Sequence, residues 1–184
     1  MRQSPAAALN KVNDHLCKSN PEGMFVTVFA ALFDPVTGIV RFANAGHMPP
    51  LLVNDDARML EMEPGVLLGL FDDAGLENDT VQLSRGEALL VYTDGVTEAV
   101  NPGNEFFGEK RLIAAMQKHA PYAAARALVD ETVNAVEEFV EQREQFDDLE
   151  SGGMGIGLVR KLASGLHYRR EADLNILVAR FAPK

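Results

Sequence analysis

The chain has 184 residues, with 17 Lys and Arg against 27 Asp and Glu, which gives a formal net charge of −10. This acidic balance excludes a general nucleic-acid-binding protein, because binding to a phosphate backbone needs a positive surface. Apolar residues make up 47% and charged residues 24% of the chain, which is typical of a folded globular protein and excludes a disordered or fibrous one. The length predicts one compact core.

The sequence also predicts in which cellular compartment the protein is found. Cys17 is the single cysteine, so no intramolecular disulfide forms, and no basic segment followed by an apolar one opens the chain as an export signal would. The longest uncharged apolar stretch, residues 24–33, is about half as long as a membrane-spanning helix. We therefore expect a cytoplasmic protein without a membrane partner.

The first half of the chain predicts a helix followed by antiparallel strands. Ser4 and Pro5 are typical of a helix N-cap and first turn, and apolar residues recur at helical spacing from Ala6 through Val12 to Leu16, with Cys17 in the core. Further along, the sequence predicts strands over residues 24–33, 39–43 and 51–53, a turn over 34–38, and core positions for Phe25, Phe29 and Phe33. Residues 55–79 hold eight Asp or Glu and one base, Arg58, which predicts turns and short strands on a solvated surface.

The second half of the chain predicts a buried strand, then helices, and a tail of opposite net charge. Residues 87–92 form a short apolar run that ends at a tight turn, Thr93-Asp94-Gly95. Apolar spacing predicts helices over 110–119 and 122–140, broken at Pro121, then a helix over 158–164 and a strand over 174–181. The charge changes near residue 150, since the tail carries +4 and the first 150 residues carry −14.

Two acidic positions are candidates for chemistry. Asp94 leaves a buried strand at a glycine turn, and Asp147 with Asp148 follows a helix. Carboxylates at such positions bind hard divalent cations, although an ordinary Asp-Gly turn and a solvated acidic loop remain the alternatives. If Asp94 and Asp147 converge, their like charges require a cation between them or protonation of one carboxyl. A metal is the better hypothesis.

Three segments together resemble a known family. They are Asn-Ala-Gly-His-Met-Pro-Pro-Leu-Leu at 44–52, Tyr-Thr-Asp-Gly-Val-Thr-Glu-Ala at 92–99 and Phe-Asp-Asp at 146–148. Their order and spacing are similar to those of the bacterial SpoIIE/RsbU-type branch of the metal-dependent (PPM, protein phosphatase 2C superfamily) phosphatases. The resemblance extends from about residue 4 to residue 149.

The resemblance implies an α+β fold, a sandwich of antiparallel sheets flanked by helices. It also implies two Mn²⁺ or Mg²⁺ ions that activate a bridging water for attack on phosphoserine or phosphothreonine. The family's metal ligands fall on Asp94 and Asp147, with Asp148 as a nearby second carboxylate. His47 is a secondary candidate for an acid or base, although a lone histidine in such a loop is more typical of a hydrogen bond that stabilises the turn. The implied partner is a phosphorylated anti-sigma-factor antagonist of the STAS type.

The sequence departs from the family in ways that predict an impaired enzyme. No Gly-Asp-Val-x-Gly-x-Gly segment, whose Asp bridges both metals in the family, precedes the first helix, and Met48 stands where Asn is usual. We therefore expect a domain that is incomplete at its N-terminus, binds the ions weakly and has an unpaired sheet edge suited to a homodimer. The alternative function is a non-catalytic regulatory or binding module derived from a phosphatase-kinase fusion.

The tail predicts a second segment, 150–184, beside the phosphatase part at 1–149. Residues 152–163 resemble the last glycine box of the GHKL ATPase fold in anti-sigma-factor kinases, but the Asp-x-Gly-x-Gly box that reads adenine is missing, which argues against ATP binding. A competing interpretation makes residues 174–181 the closing strand of the phosphatase sheet. In that case Asp173 lies near the metals in place of Asp148.

Overall fold

The computed structural model describes residues 4–118, 124–141, 166–171 and 174–180. The described part has an α+β fold with two antiparallel sheets, which confirms the predicted fold class. In chain order the elements are α1 (Pro5–Lys18), β1 (Val28–Phe33), β2 (Ile39–Ala45), β3 (Leu51–Val53), β4 (Ala57–Met59), β5 (Asp79–Gln82), β6 (Ala88–Tyr92), α2 (Asp94–Thr97), α3 (Gly108–Gln117), α4 (Ala125–Glu141), β7 (Leu166–Glu171) and β8 (Leu174–Arg180).

The chain divides into two compact units. Among the described residues, the first unit comprises 4–48 and 61–85, and the second comprises 49–60 and those from 86 onward. The first unit holds α1 and a three-stranded sheet of order β1-β2-β5. The second holds the remaining helices and a five-stranded sheet of order β4-β3-β6-β8-β7.

Helix α1 begins where the sequence predicts. The Ser4 hydroxyl accepts a hydrogen bond from the Ala7 N–H at 3.1 Å, and Pro5 occupies the first turn, where its missing N–H costs nothing. The buried face of the helix packs on the first sheet, in a cluster of apolar residues from both: Ala6, Leu9, Ala43, Ala45 and Leu68.

One detail of α1 differs from the prediction. Val12, placed in the apolar stripe, is 46% exposed, whereas its neighbour Asn13 is 1% exposed. The Asn13 side chain accepts from the Gly69 N–H at 2.9 Å and donates to the Phe71 carbonyl at 2.8 Å. These bonds compensate the loss of water, so a polar residue can occupy the buried stripe.

Strands β1 and β2 form the predicted hairpin. The Asp34 carbonyl accepts from the Gly38 N–H at 2.8 Å, and Gly38 has a φ of +77°, a conformation that glycine adopts without strain. The predicted core positions for the three phenylalanines were wrong in part: Phe25 is 59% exposed, and Phe29 and Phe33 are half-buried. The physical reason is that β1 is an edge strand in the described sheet, and Phe25 precedes it.

The second sheet is built around β6. Strand β6 pairs with β3 on one side and with β8 on the other, where Leu90 lies opposite Val178. The predicted strand over 174–181 is therefore present as β8 up to Arg180, next to the strand that leads to Asp94. The predicted helix over 158–164 lies outside the described residues.

Helices α3 and α4 confirm the two predicted amphipathic segments, each within a few residues of the predicted ends. Their apolar faces are buried, and the rings of Phe107 and Phe139 meet edge to face at 5.5 Å between centroids. The Arg111 guanidinium lies 4.7 Å from the centre of the Phe139 ring, a favourable cation–π contact. The predicted break at Pro121 falls outside the described residues.

The acidic stretch lies on the surface, as predicted. All eight of its carboxylate side chains are exposed: Asp55, Asp56, Glu61, Glu63, Asp72, Asp73, Glu77 and Asp79. Among the described helices, none combines the length and apolar character that crossing a bilayer requires.

Candidate functional site

Strand β6 holds the first candidate residue in a fixed place. Its residues Leu89 and Leu90 are 2% and 0% exposed; β8 pairs with all of β6, and β3 pairs with its first three residues. A central strand with buried side chains has little freedom to move. The residues that follow Tyr92 therefore start from a rigid support.

Asp94 opens the short helix α2 rather than a simple turn, which corrects the predicted Asp-Gly turn. The Asp94 carbonyl accepts from the Glu98 N–H at 2.7 Å and from the Thr97 hydroxyl at 3.2 Å. One Asp94 carboxylate oxygen accepts from the Gly95 N–H at 2.9 Å, and the side chain is exposed. The carboxylate is thus oriented by its own turn and open to a ligand.

Thr93 carries a polar atom that the described structure leaves without a partner. Its hydroxyl oxygen is buried, and among the described residues no hydrogen bond reaches it. Thr93 occupies the N-cap position of α2, but its side chain makes no capping hydrogen bond. A buried hydroxyl without a partner costs about 1–3 kcal/mol, so an unfilled polar contact lies beside Asp94.

Tyr92, at the end of β6, is 1% exposed, and its hydroxyl donates weakly to the Met59 sulfur at 3.9 Å. Burial, and then the Glu109 carboxylate, raise the pKa of Tyr92 far above its ordinary value. The tyrosine is therefore a neutral packing residue beneath the site and does not act as an acid or base near pH 7.

The raised pKa of Tyr92 predicts a loss of stability in alkali. Above about pH 10 an unfolded tyrosine ionises while the folded one keeps its proton, so the free energy of unfolding falls as the pH rises. Tyr92→Phe should abolish this contribution and change stability at pH 7 by about 1 kcal/mol or less. Urea unfolding of both proteins between pH 7 and 11 tests it, and parallel curves would contradict it.

The Asn-Ala-Gly-His segment forms a closed loop at the end of β2. The Asn44 side chain accepts from the His47 N–H at 2.9 Å and donates to the His47 carbonyl at 3.1 Å, while Gly46 has a φ of +69°. This part of the motif shapes the backbone.

Gly65 packs directly on this loop. A Cβ atom at position 65 would overlap the Asn44 carbonyl and lie 2.9 Å from the Gly46 nitrogen. Only a glycine allows the two backbones to approach so closely. Gly65 was not among the predicted residues, because its only local sign is the Pro-Gly pair at 64–65.

The other predicted ligands, Asp147 and Asp148, lie outside the described residues, as does Asp173. Whether they converge with Asp94 thus stays a prediction. Within the described ranges, no three His, Cys, Asp or Glu side chains group closely enough to hold a metal ion. The oxygen donors at Thr93 and Asp94 fit a hard cation in kind, but the described residues do not complete a site.

Comparison with known proteins identifies the family. The profile of the family described as Stage II sporulation protein E (SpoIIE) matches residues 1–150. The chain belongs to the SpoIIE family. Within it, the chain is 29% identical over 144 residues to protein IcfG of Synechocystis and 26% identical over 117 residues to the phosphoserine phosphatase RsbU of Bacillus subtilis. These matches cover 77% and 62% of this chain but only 22% and 35% of the two relatives.

Solved structures show the same fold. The SiaA-PP2C domain of Pseudomonas aeruginosa matches 98% of this chain with a TM-score of 0.68 at 18% identity. The RsbU and RsbW domains of Rv1364c from Mycobacterium tuberculosis match 100% of it with a TM-score of 0.66 at 21% identity. The chain covers 61% and 44% of these two structures. This SpoIIE-family chain therefore has the fold of a PPM phosphatase domain of the RsbU/SpoIIE type.

Proposed function

We propose that this chain is a metal-dependent serine/threonine protein phosphatase of a bacterial partner-switching system, acting on a phosphorylated anti-sigma-factor antagonist of the STAS type. The observation that carries the proposal is the place of Asp94, an exposed and oriented carboxylate at the end of a rigid strand in a SpoIIE-family domain. The relation to the phosphoserine phosphatase RsbU supports the substrate class.

The described residues supply orientation in this proposal. The Gly95 N–H holds one oxygen of Asp94, and β6 fixes the residue's position. Asp147 and Asp148 are the further carboxylates that we propose for holding Mn²⁺ or Mg²⁺ together with Asp94. When bound, such ions would lower the pKa of a water molecule and so supply a hydroxide nucleophile near neutral pH.

We further propose that the site binds its ions weakly. The basis is the sequence, because residues 1–184 contain no Gly-Asp-Val-x-Gly-x-Gly segment of the kind that supplies a metal ligand in the family. A site that lacked one of its ligands would hold the attacking water less accurately, and a shift of about 1 Å can lower a rate by 10²-fold. The same observation favours the second candidate, a domain that binds the phosphorylated antagonist without hydrolysing it.

Incubation with a phosphoserine-bearing STAS protein and manganese separates these functions. The phosphatase proposal expects loss of the phosphate by intact-mass measurement, and little loss in the presence of EDTA. The binding alternative expects a stable complex in which the phosphate is retained. If the chain neither removes the phosphate nor forms a stable complex, both functions are rejected.

We also propose that β1 mediates homodimer formation. It is an edge strand in the described sheet, and none of its six residues is charged, whereas protected edges carry charge or proline. We expect light scattering to show a mass that rises with concentration, and Ala31→Lys, at an exposed position of β1, to suppress the rise. A parent chain that is monomeric at every concentration would contradict this.

A further inference from the structure

Five large apolar side chains are exposed on two neighbouring segments of the first unit. We call these residues, Met24, Phe25, Val26, Leu70 and Phe71, the apolar patch. Met24 is 68% exposed and Phe71 is 57% exposed, and the other three have exposures close to one half. Single exposed apolar residues are ordinary, but a contiguous group marks an interaction surface.

The two segments are held side by side. Val26 and Leu68 form an antiparallel bridge, in which each N–H donates to the other's carbonyl at 3.0 Å. The Asn20 amide group donates to the carbonyls of both Met24 and Gly69, and its oxygen accepts from the Met24 N–H at 2.7 Å. One asparagine therefore joins the two segments that carry the apolar patch.

Helix α1 anchors the segment that carries Leu70 and Phe71. The buried Asn13 side chain bonds to the Gly69 N–H and the Phe71 carbonyl, and the Cys17 thiol donates to that same carbonyl at 3.3 Å. The backbone that carries Phe71 is thus anchored while its ring remains exposed. A surface that is already ordered loses little conformational entropy on binding, which favours a function in recognition.

The charges around the patch are acidic. Exposed carboxylates flank it in sequence at Glu22, Asp72 and Asp73, and neither residues 19–40 nor residues 61–84 contain a lysine or arginine. The nearest base along the chain is Lys18, in the last turn of α1. The patch is therefore apolar at its centre and negative at its border.

This combination selects one kind of partner. An anionic membrane would be repelled by the carboxylates, and a second copy would bring the same carboxylates against each other. We propose that the apolar patch binds a protein segment that carries apolar side chains flanked by lysine or arginine. The segment's apolar side chains cover the patch, and its cations pair with Glu22, Asp72 and Asp73.

Fluorescence anisotropy with three labelled peptides tests the proposal on the whole chain, without any catalytic readout. The first peptide alternates leucine and lysine, the second alternates serine and lysine, and the third alternates leucine and glutamate. We expect the leucine-lysine peptide to bind at least about 10-fold more tightly than either other, because it alone matches both surface properties. Its affinity should fall when salt screens the charges.

Matched variants locate the binding. Met24→Ser and Phe71→Ser should each weaken binding of the leucine-lysine peptide by about 10-fold, the loss expected when a large apolar contact is removed. Val36→Ser, at an 86% exposed position in the hairpin turn, should leave it unchanged. Asp72→Asn should weaken it more at low salt than Asp55→Asn does.

Three results would overturn the proposal. The serine-lysine peptide could bind as tightly as the leucine-lysine peptide, which would show non-specific attraction to an acidic protein. The Met24 and Phe71 variants could bind like the parent chain. Finally, both variants could abolish self-association in light scattering without changing peptide binding, which would make a second copy the occupant.

Discussion

Asp94→Asn should lower phosphate release from a phosphoserine protein by about 100-fold or more, because the proposed metal site would lose one of its charged ligands. Asparagine has nearly the same shape as aspartate, and its side-chain oxygen can still accept from the Gly95 N–H, which now makes a 2.9 Å bond to Asp94. The backbone bonds of α2 do not involve the carboxylate. The fold should therefore be retained while activity is lost.

The matched control for this variant is Asp55→Asn, which removes one exposed carboxylate from the acidic stretch. Both variants change the net charge equally, so a general electrostatic effect would appear in both. Urea unfolding confirms that each variant is folded at the assay temperature. Equal rates for Asp94→Asn and Asp55→Asn would remove Asp94 from the proposed site.

Gly65→Ala should destabilise the protein by about 3 kcal/mol or more, at the upper end of the range for overpacking. The new methyl group would overlap the Asn44 carbonyl and crowd the Gly46 nitrogen at 2.9 Å. These neighbours are backbone atoms in a loop closed by Asn44, so they cannot move aside as a flexible side chain would. Either the loop from Asn44 to His47 must open, or the segment that carries Gly65 must move away from it.

Gly75→Ala is the control for Gly65→Ala. Gly75 has a φ of +56°, and a Cβ atom there would have no neighbour within 4 Å. Its cost is therefore only the conformational one, about 1–2 kcal/mol for an L-residue in the left-handed region. Urea denaturation midpoints compare the two, and a Gly65→Ala protein as stable as the Gly75→Ala protein would contradict the close approach.

Local patterns in the sequence predicted the elements well. Ser4 and Pro5 located the start of α1, the 34–38 turn located the first hairpin, and apolar spacing located α3 and α4. Each of these signals lies within a few residues of the structure that it specifies. The exposed acidic stretch was likewise predictable, because unpaired carboxylates are costly to bury.

Features that depend on residues far apart in the chain could not be predicted from local sequence patterns. Asn13 is buried because the backbone at Gly69 and Phe71 supplies its partners, about 56–58 residues away in the chain. Phe25 looked like a core residue because its segment is apolar, but it lies before the first residue of β1 and its ring is 59% exposed. Gly65 gives no local sign that its neighbour is Asn44.

Only the part of the candidate site that depends on local sequence patterns could be predicted. Asp94 could be placed at the end of a buried strand from the apolar run before it, and the structure confirms that position. Its helical turn and the buried hydroxyl of Thr93 depend on the detailed backbone and were not predicted. Asp147 and Asp148 remain ligands by resemblance, since they lie outside the described residues.

A manganese titration of phosphate release from a phosphoserine STAS protein by the parent chain decides whether this domain is a metal-dependent phosphatase. We expect a rate that rises with Mn²⁺ concentration, saturates only at high concentration if the site binds its ions weakly as proposed, and returns to background in EDTA. No release at any Mn²⁺ concentration, or release that persists unchanged in EDTA, would contradict it.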